Sequence, residues 1–171
     1  TGLWAMLLCC VANGFVRDGV MTWGPSMISG AASSAMSGAI GMSLIIPLLN
    51  LLGILFGKLC FSRFQNRSRV VVGAMMGLGA ASAMLLRLAG AGGVALAALL
   101  GLSCALMYGV NPILTTLVPM EYAPVKRVAL AAGLIDCFIY LGSSLAGVAT
   151  GAFIEAAGPG GAYLSWIAAC L

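Results

Sequence analysis

The sequence predicts an all-α integral membrane protein, and three observations carry that prediction. Hydrophobic residues make up 62% of the 171-residue chain and charged residues only 7%, against about 45–50% and about 25% in soluble domains. Mean hydropathy is +1.12. The apolar residues fall in unbroken runs such as "VALAALLGLSCALMYGV", close to the roughly 20 residues that a helix needs to cross a bilayer. None of the runs alternates in the manner of a membrane barrel strand. Because they recur along the whole chain, one anchor or a removable signal peptide does not account for them.

Six spans follow in order. The first covers 2–23 and is read as ending near Trp23 and Pro25, because indole suits the interface and proline stops a helix. The turn-rich "GPSMISGAASSAMSG" leads to a second span at 38–57, and "KLCFSRFQNRSR" to a third at 69–88. "AGAGG" precedes the fourth at 93–118, "PMEYAPVKR" the fifth at 128–151, and "EAAGPGG" a sixth from 161 that the end of the chain at 171 truncates. With Thr1 at its start and Leu171 inside an apolar run, the chain is expected to be a fragment of a longer protein.

Orientation follows from Lys and Arg, which favour the cytoplasmic side. Lys58, Arg63, Arg67 and Arg69 flank the second connection, and Lys126 and Arg127 lie in the fourth, whereas the other three connections have only Arg87 at a helix end. Loops 58–68 and 119–127 are therefore expected in the cytoplasm. This asymmetry accounts for the net charge of +4 without a nucleic-acid partner. The chain has no histidine, which removes imidazole catalysis, imidazole proton relays and most zinc sites. The six cysteines (Cys9, Cys10, Cys60, Cys104, Cys137, Cys170) show no CxxC spacing and are read as ordinary helix residues, so neither metal nor cofactor is expected. Asn66-Arg67-Ser68 fits a glycosylation sequon by chance, since its loop is basic.

Polar side chains three and four residues apart share a helix face, and such a face in a membrane helix points into protein or water. The first span offers Asn13 and Arg17, the second Ser43, Asn50 and the break at Pro47, the fourth Cys104, Tyr108, Asn111 and Thr115, and the fifth Gly133, Asp136, Tyr140 and Ser143. In the third, Ser82 stands alone while Gly73 and Gly77 form a small-xxx-small pair, which suggests either a peripheral helix packed closely on one neighbour or an incidental match, since Gly is common throughout the chain. A charge at mid-bilayer costs roughly 2.5–3.5 kcal/mol on insertion scales, so it is kept for function or paired. Arg17 is read either as an anion-binding group or as a paired or snorkelling one. Asp18 lies about 100° round the helix and is expected to face a neighbour or the rim in a structural pairing, which leaves a phosphate, another anion or only Asp18 as the partner of Arg17. Asp136 is read as a group that titrates, holds a cation, pairs with a base elsewhere or simply hydrogen-bonds. Pro47 and Pro112 interrupt helices beside polar residues and free carbonyls, lining a cavity or simply kinking the chain.

These residues carry a resemblance. Arg17-x-Gly19-x-x-x-Trp23-x-Pro25 resembles the seventh helix of the organophosphate:phosphate antiporters, a family of the major facilitator superfamily that includes glycerol-3-phosphate and hexose-phosphate transporters. Glu121-x-Ala123-Pro124-x-Lys126-Arg127, then Ala131-Ala132-Gly133 and Tyr140-Leu141-Gly142, resemble the loop between its tenth and eleventh helices and the start of the eleventh. Gly57-x-Leu59 with Arg63 and Arg67 is similar to a degenerate copy of the superfamily's cytoplasmic loop motif, with the usual Asp replaced and its Gly disrupted by Phe64-Gln65-Asn66.

The resemblance spans essentially the whole chain and implies that residues 1–171 are the C-terminal six-helix half of a twelve-helix transporter, partnered by an N-terminal half and by the lipid bilayer. In that family an arginine at the position of Arg17 binds substrate phosphate. Asp136 departs from the small residue usual there and could mean proton coupling or a differently charged substrate. The expected function is secondary active transport of a small anionic solute, an organophosphate or carboxylate, by alternating access in a bacterial inner membrane. Arg17 would supply fixed charge, Asn13, Asn50, Tyr108 and Asn111 hydrogen bonds, and Asp136 a further substrate contact. A transporter-like sensor that binds a sugar phosphate without moving it is the alternative. An enzyme is not expected, because no nucleophile-base pair or acidic metal motif is present.

Overall fold

A computed structural model describes residues 2–31, 45–64, 67–89 and 93–170. The chain is helical throughout these residues, with no strand among them. The helices are α1 (Gly2–Ala31), α2 (Ile45–Arg63), α3 (Ser68–Ala89), α4 (Gly93–Pro112), α5 (Val128–Ala157) and α6 (Pro159–Cys170). Beyond Pro112, α4 runs on through a π-helical turn, Ile113–Leu117, and a last α-turn, Val118–Met120. A 3-10 turn, Ala123–Val125, then leads into α5, with Lys126 in the left-handed conformation at φ 55°. Trp4–Ser29, Ile46–Arg63, Ser68–Leu88, Val94–Met120 and Val128–Ala157 are each long and apolar enough to cross a bilayer, which makes this an integral membrane protein.

The expected stop at Pro25 is not there. Pro25 lies inside α1, which continues to Ala31. Proline withdraws one N–H donor from the helix, and Ser26 Oγ donates to the Trp23 carbonyl at 2.7 Å and Ser29 Oγ to the Ser26 carbonyl at 2.9 Å. Neither hydroxyl reaches the Met21 carbonyl, which is the group that Pro25 leaves without its i+4 donor; they brace the turns around and after the proline instead. The expected beginning of the second span at 38, with Ser43, lies outside the described residues.

The helices pack as two interleaved sets of three. The main pairings are α1 with α5 and α2 with α4, α3 with α4 and α6 with α1, α2 with α3 and α5 with α6, together with α1·α4 and α3·α6. Replacing each helix by the one three places along carries these pairings onto one another, with the slight contact of α2 and α3 answering the fuller one of α5 and α6. The contact of α5 with the turns after Pro112 has no counterpart of like size among the described residues. In lipid, helix association rests on close van der Waals contact and interhelical hydrogen bonds rather than on a hydrophobic drive. Accordingly, both principal pairings are made where side chains are smallest. Gly14 sits on the backbone of Ile139 and Gly142 on that of Val11, while Gly53 sits on Ala105 and Gly57 on Gly109. In each case a Cβ would collide with main chain, so the backbones touch.

Gly73 and Gly77 do not make such a contact: a Cβ at either would meet nothing within 4 Å. The opposite face of α3 packs instead, through Val71, Met75, Ala83 and Leu86 on α4 and α6, and Ser82 shares a 2.6 Å hydroxyl bond with Ser103 of α4. The reading of α3 as held by its glycines to one neighbour is therefore corrected. Half of its best membrane window is buried, against 22% for α2 and 17% for α5, which are the two most exposed spans.

Candidate functional site

Three of these helices bring their polar side chains to one place. Arg17 of α1 is nearly buried, at 12% side-chain exposure. Its guanidinium grips Asp18 with two parallel bonds, Nε to Oδ1 at 2.7 Å and Nη2 to Oδ2 at 3.0 Å. Nη1 donates to Asn111 Oδ1 of α4 at 2.9 Å, and Nη2 reaches Ser143 Oγ of α5 at 3.5 Å. The guanidinium carbon lies 5.7 Å from the centre of the Tyr108 ring, within cation–π range. One cation is thus surrounded by a carboxylate, an amide, a hydroxyl and an aromatic face.

Local chain geometry places each partner. Asn111 immediately precedes Pro112, where α4 gives way to the π-helical turn. Thr115 Oγ1 donates to the Asn111 carbonyl at 3.0 Å, tying down backbone that the wider turn leaves less regularly bonded. Ser143 returns its own proton to the Ile139 carbonyl at 3.1 Å, beside the close crossing at Gly14. Trp23, expected as an interfacial anchor, also fastens α1 to α5: Nε1 donates to the Gly147 carbonyl at 3.3 Å and its ring lies over Gly151.

The sequence reading turned Asp18 toward a neighbour or the rim but kept it among the possible partners of Arg17, and the structure joins the two. Neighbouring positions on a helix do not face each other at Cβ, but an arginine stem is long enough to bring its fork back to the adjacent carboxylate. Two charges in a bilayer-spanning helix each lack water, and the nearest opposite charge is one residue away. The charges themselves were the signal for this pairing.

Of the other expected site residues, Tyr108 and Asn111 are half-buried and belong to the cluster. Asn13 does not face an open path. It is fully buried between α1 and α4, and its Nδ2 donates to the Met107 carbonyl at 2.9 Å. Asn50 is buried at 6% exposure against α1, its Nδ2 lying 3.4 Å from Met21 Sδ. The side-chain oxygens of both asparagines are without a protein partner. Asp136 is exposed on α5, about 10 Å along the helix from Ser143 at 1.5 Å per residue. It does not join the cluster. Among the described residues no three His, Cys, Asp or Glu side chains converge in a way that could hold a metal ion.

Arginine has five N–H groups. Two are taken by Asp18, one by Asn111 and a fourth by the long contact to Ser143. An anion that binds Arg17 through two parallel bonds must therefore displace at least one of Asp18, Asn111 and Ser143. No family model, curated protein or solved structure matches this chain.

Proposed function

We propose that this chain is half of a secondary active transporter that carries a small anionic solute, an organophosphate or a carboxylate, by alternating access. The observation that carries the reading is the Arg17 guanidinium, nearly buried in a membrane helix and paired with a carboxylate that a substrate anion can replace. A planar donor fork matches carboxylate and phosphate oxygens bidentately. Asn111 and Ser143 then orient the bound group, and the Tyr108 face keeps the cation in place while its partners change.

The interleaved three-helix sets support the same reading. Internal repeats of this kind underlie many secondary transporters, with the substrate site near the middle of the membrane where the repeats meet. Here Arg17 and Asn111 come from the first helix of each set. On this proposal the chain is the C-terminal six-helix domain of a major facilitator of the organophosphate:phosphate antiporter type. Its basic loops would lie in the cytoplasm of a bacterial cell.

The test is exchange by the complete protein in proteoliposomes loaded with labelled inorganic phosphate, with glycerol 3-phosphate or succinate outside. Saturable efflux that is lost in Arg17→Ala supports transport. Binding of either anion without any flux would replace transport by sensing.

A further inference from the structure

We infer that a cleft at the basic end of the bundle is a binding site for an amino phospholipid. It is separate from the Arg17 cluster. The cleft has a volume of about 450 Å³ and lies where the first turns of α1 and α3 meet the last turns of α4. Its interior is apolar, formed by Met6, Cys9, Val72, Leu114 and Val118. That volume falls within the roughly 300–1,000 Å³ of small-molecule sites.

The polar lining is what identifies the occupant. Arg69 and Glu121, both exposed, line the same cleft, and among the described residues they form no ion pair with each other. Ser68 Oγ donates to Glu121 Oε1 at 3.1 Å and so ties that carboxylate to the start of α3. An opening with one cation, one carboxylate and an apolar floor is complementary to a molecule with a phosphate, an ammonium and a hydrocarbon chain. Phosphatidylethanolamine has all three. Its phosphate meets Arg69, its ammonium donates to Glu121, and one acyl chain enters the cleft beside Gly73, where a Cβ would meet nothing within 4 Å. Basic pockets between membrane helices commonly hold lipid headgroups, and the carboxylate selects an amine-bearing headgroup over a purely anionic one.

The complete protein, stripped of lipid in detergent, is offered equal amounts of phosphatidylethanolamine and phosphatidylglycerol, and the retained lipid is counted by native mass spectrometry. Phosphatidylethanolamine is retained about fivefold over phosphatidylglycerol, the factor expected for one charge contact near a membrane surface. Glu121→Gln abolishes that preference, Arg69→Gln lowers retention of both lipids, and Gly73→Leu, which fills open space, lowers it further. Glycerophosphoethanolamine, the headgroup without chains, does not compete at the same concentration. Equal retention of the two lipids, unchanged retention in Gly73→Leu, or displacement by the bare headgroup each overturns the inference.

Discussion

Arg17 Nε lies 2.7 Å from Oδ1 of Asp18, the residue beside it in the chain, so the cation and its counter-ion travel on one helix. The rest of the guanidinium is held by α4 and α5, through Asn111 and Ser143. Any movement of α1 against those helices keeps the ion pair and breaks the amide and hydroxyl contacts. Under the alternating access proposed above, a pair arranged in this way remains neutral whichever side of the membrane the cluster faces. That spares the protein an unpaired charge in lipid whenever the site is empty.

On the proposed function, Asp18 competes with the substrate. Asp18→Asn removes the internal carboxylate and leaves the fork of Arg17 free for an external one. Anion affinity should rise about tenfold, which corresponds to about 1.4 kcal/mol, while exchange slows because the empty carrier must reorient with an uncompensated charge. Equilibrium binding and proteoliposome exchange measured on the same preparation check both halves. Arg17→Lys should not restore binding, since a point charge on a flexible stem lacks the planar fork.

Tyr108 and Asn13 separate the site from its scaffold. Tyr108→Leu removes the aromatic face 5.7 Å from the guanidinium and should weaken anion binding by about 0.5–2 kcal/mol, read by isothermal titration. Asn13→Leu removes the bond to the Met107 carbonyl inside the α1·α4 contact. It should lower thermal stability slightly, by about 0.6 kcal/mol on the scale of interhelical bonds in membranes, and leave anion affinity unchanged. A large loss of affinity in Asn13→Leu would return that residue to the substrate path.

Hydropathy located the helices because a bilayer demands long apolar ones, but it placed three ends too early. α1 runs to Ala31 rather than 23, α2 to Arg63 rather than 57 and α5 to Ala157 rather than 151, since a helix continues through polar or turn-prone residues beyond its apolar stretch. Helical spacing also placed Arg17, Tyr108 and Asn111 on faces that do converge. It could not separate the two reasons for a polar residue in a membrane helix. Asn13 and Asn50 lie on the same kind of face, yet they are buried in helix contacts, because a face directed at protein and one directed at a cavity have the same period. Asp136 was grouped with Ser143 by spacing, but two turns of helix carry it beyond the reach of the cluster. Cβ direction turned Asp18 toward a neighbour or the rim and left it as one of three open partners for Arg17, because direction alone ignores how far an arginine side chain extends.

The Ser82–Ser103 bond gives a third test, one of helix association alone. The two hydroxyls are buried and 2.6 Å apart, and one donates to the other while each also has a carbonyl of its own helix in reach of its single proton: Gly79 at 2.8 Å for Ser82 and Leu99 at 3.1 Å for Ser103. Because each hydroxyl has this local alternative, either single alanine variant should cost only about 0.6 kcal/mol. The double variant should cost less than the sum of the two. Melting in detergent of the single and double variants measures this coupling directly.

The glycines provide the strongest contrast, because one residue type plays opposite parts in one chain. At Gly53 a Cβ would strike the backbone of Ala105, and at Gly142 it would strike that of Val11. Main chain in two packed helices has no rotamer to give way, so Gly53→Ala and Gly142→Ala must push whole helices apart. Each should lower stability by about 1–3 kcal/mol, the cost of overpacking a filled interior. Gly142→Ala should also weaken anion binding, since the crossing it opens holds Ser143 beside Arg17. Gly73→Ala and Gly77→Ala enter open space and replace the poorest helix former after proline with the best, a gain of up to about 1 kcal/mol. Thermal melts of the four variants in one detergent should therefore split two and two, with opposite signs. If Gly73→Ala proved as damaging as Gly53→Ala, the outer face of α3 would be a helix contact in the complete protein, closing the cleft beside it.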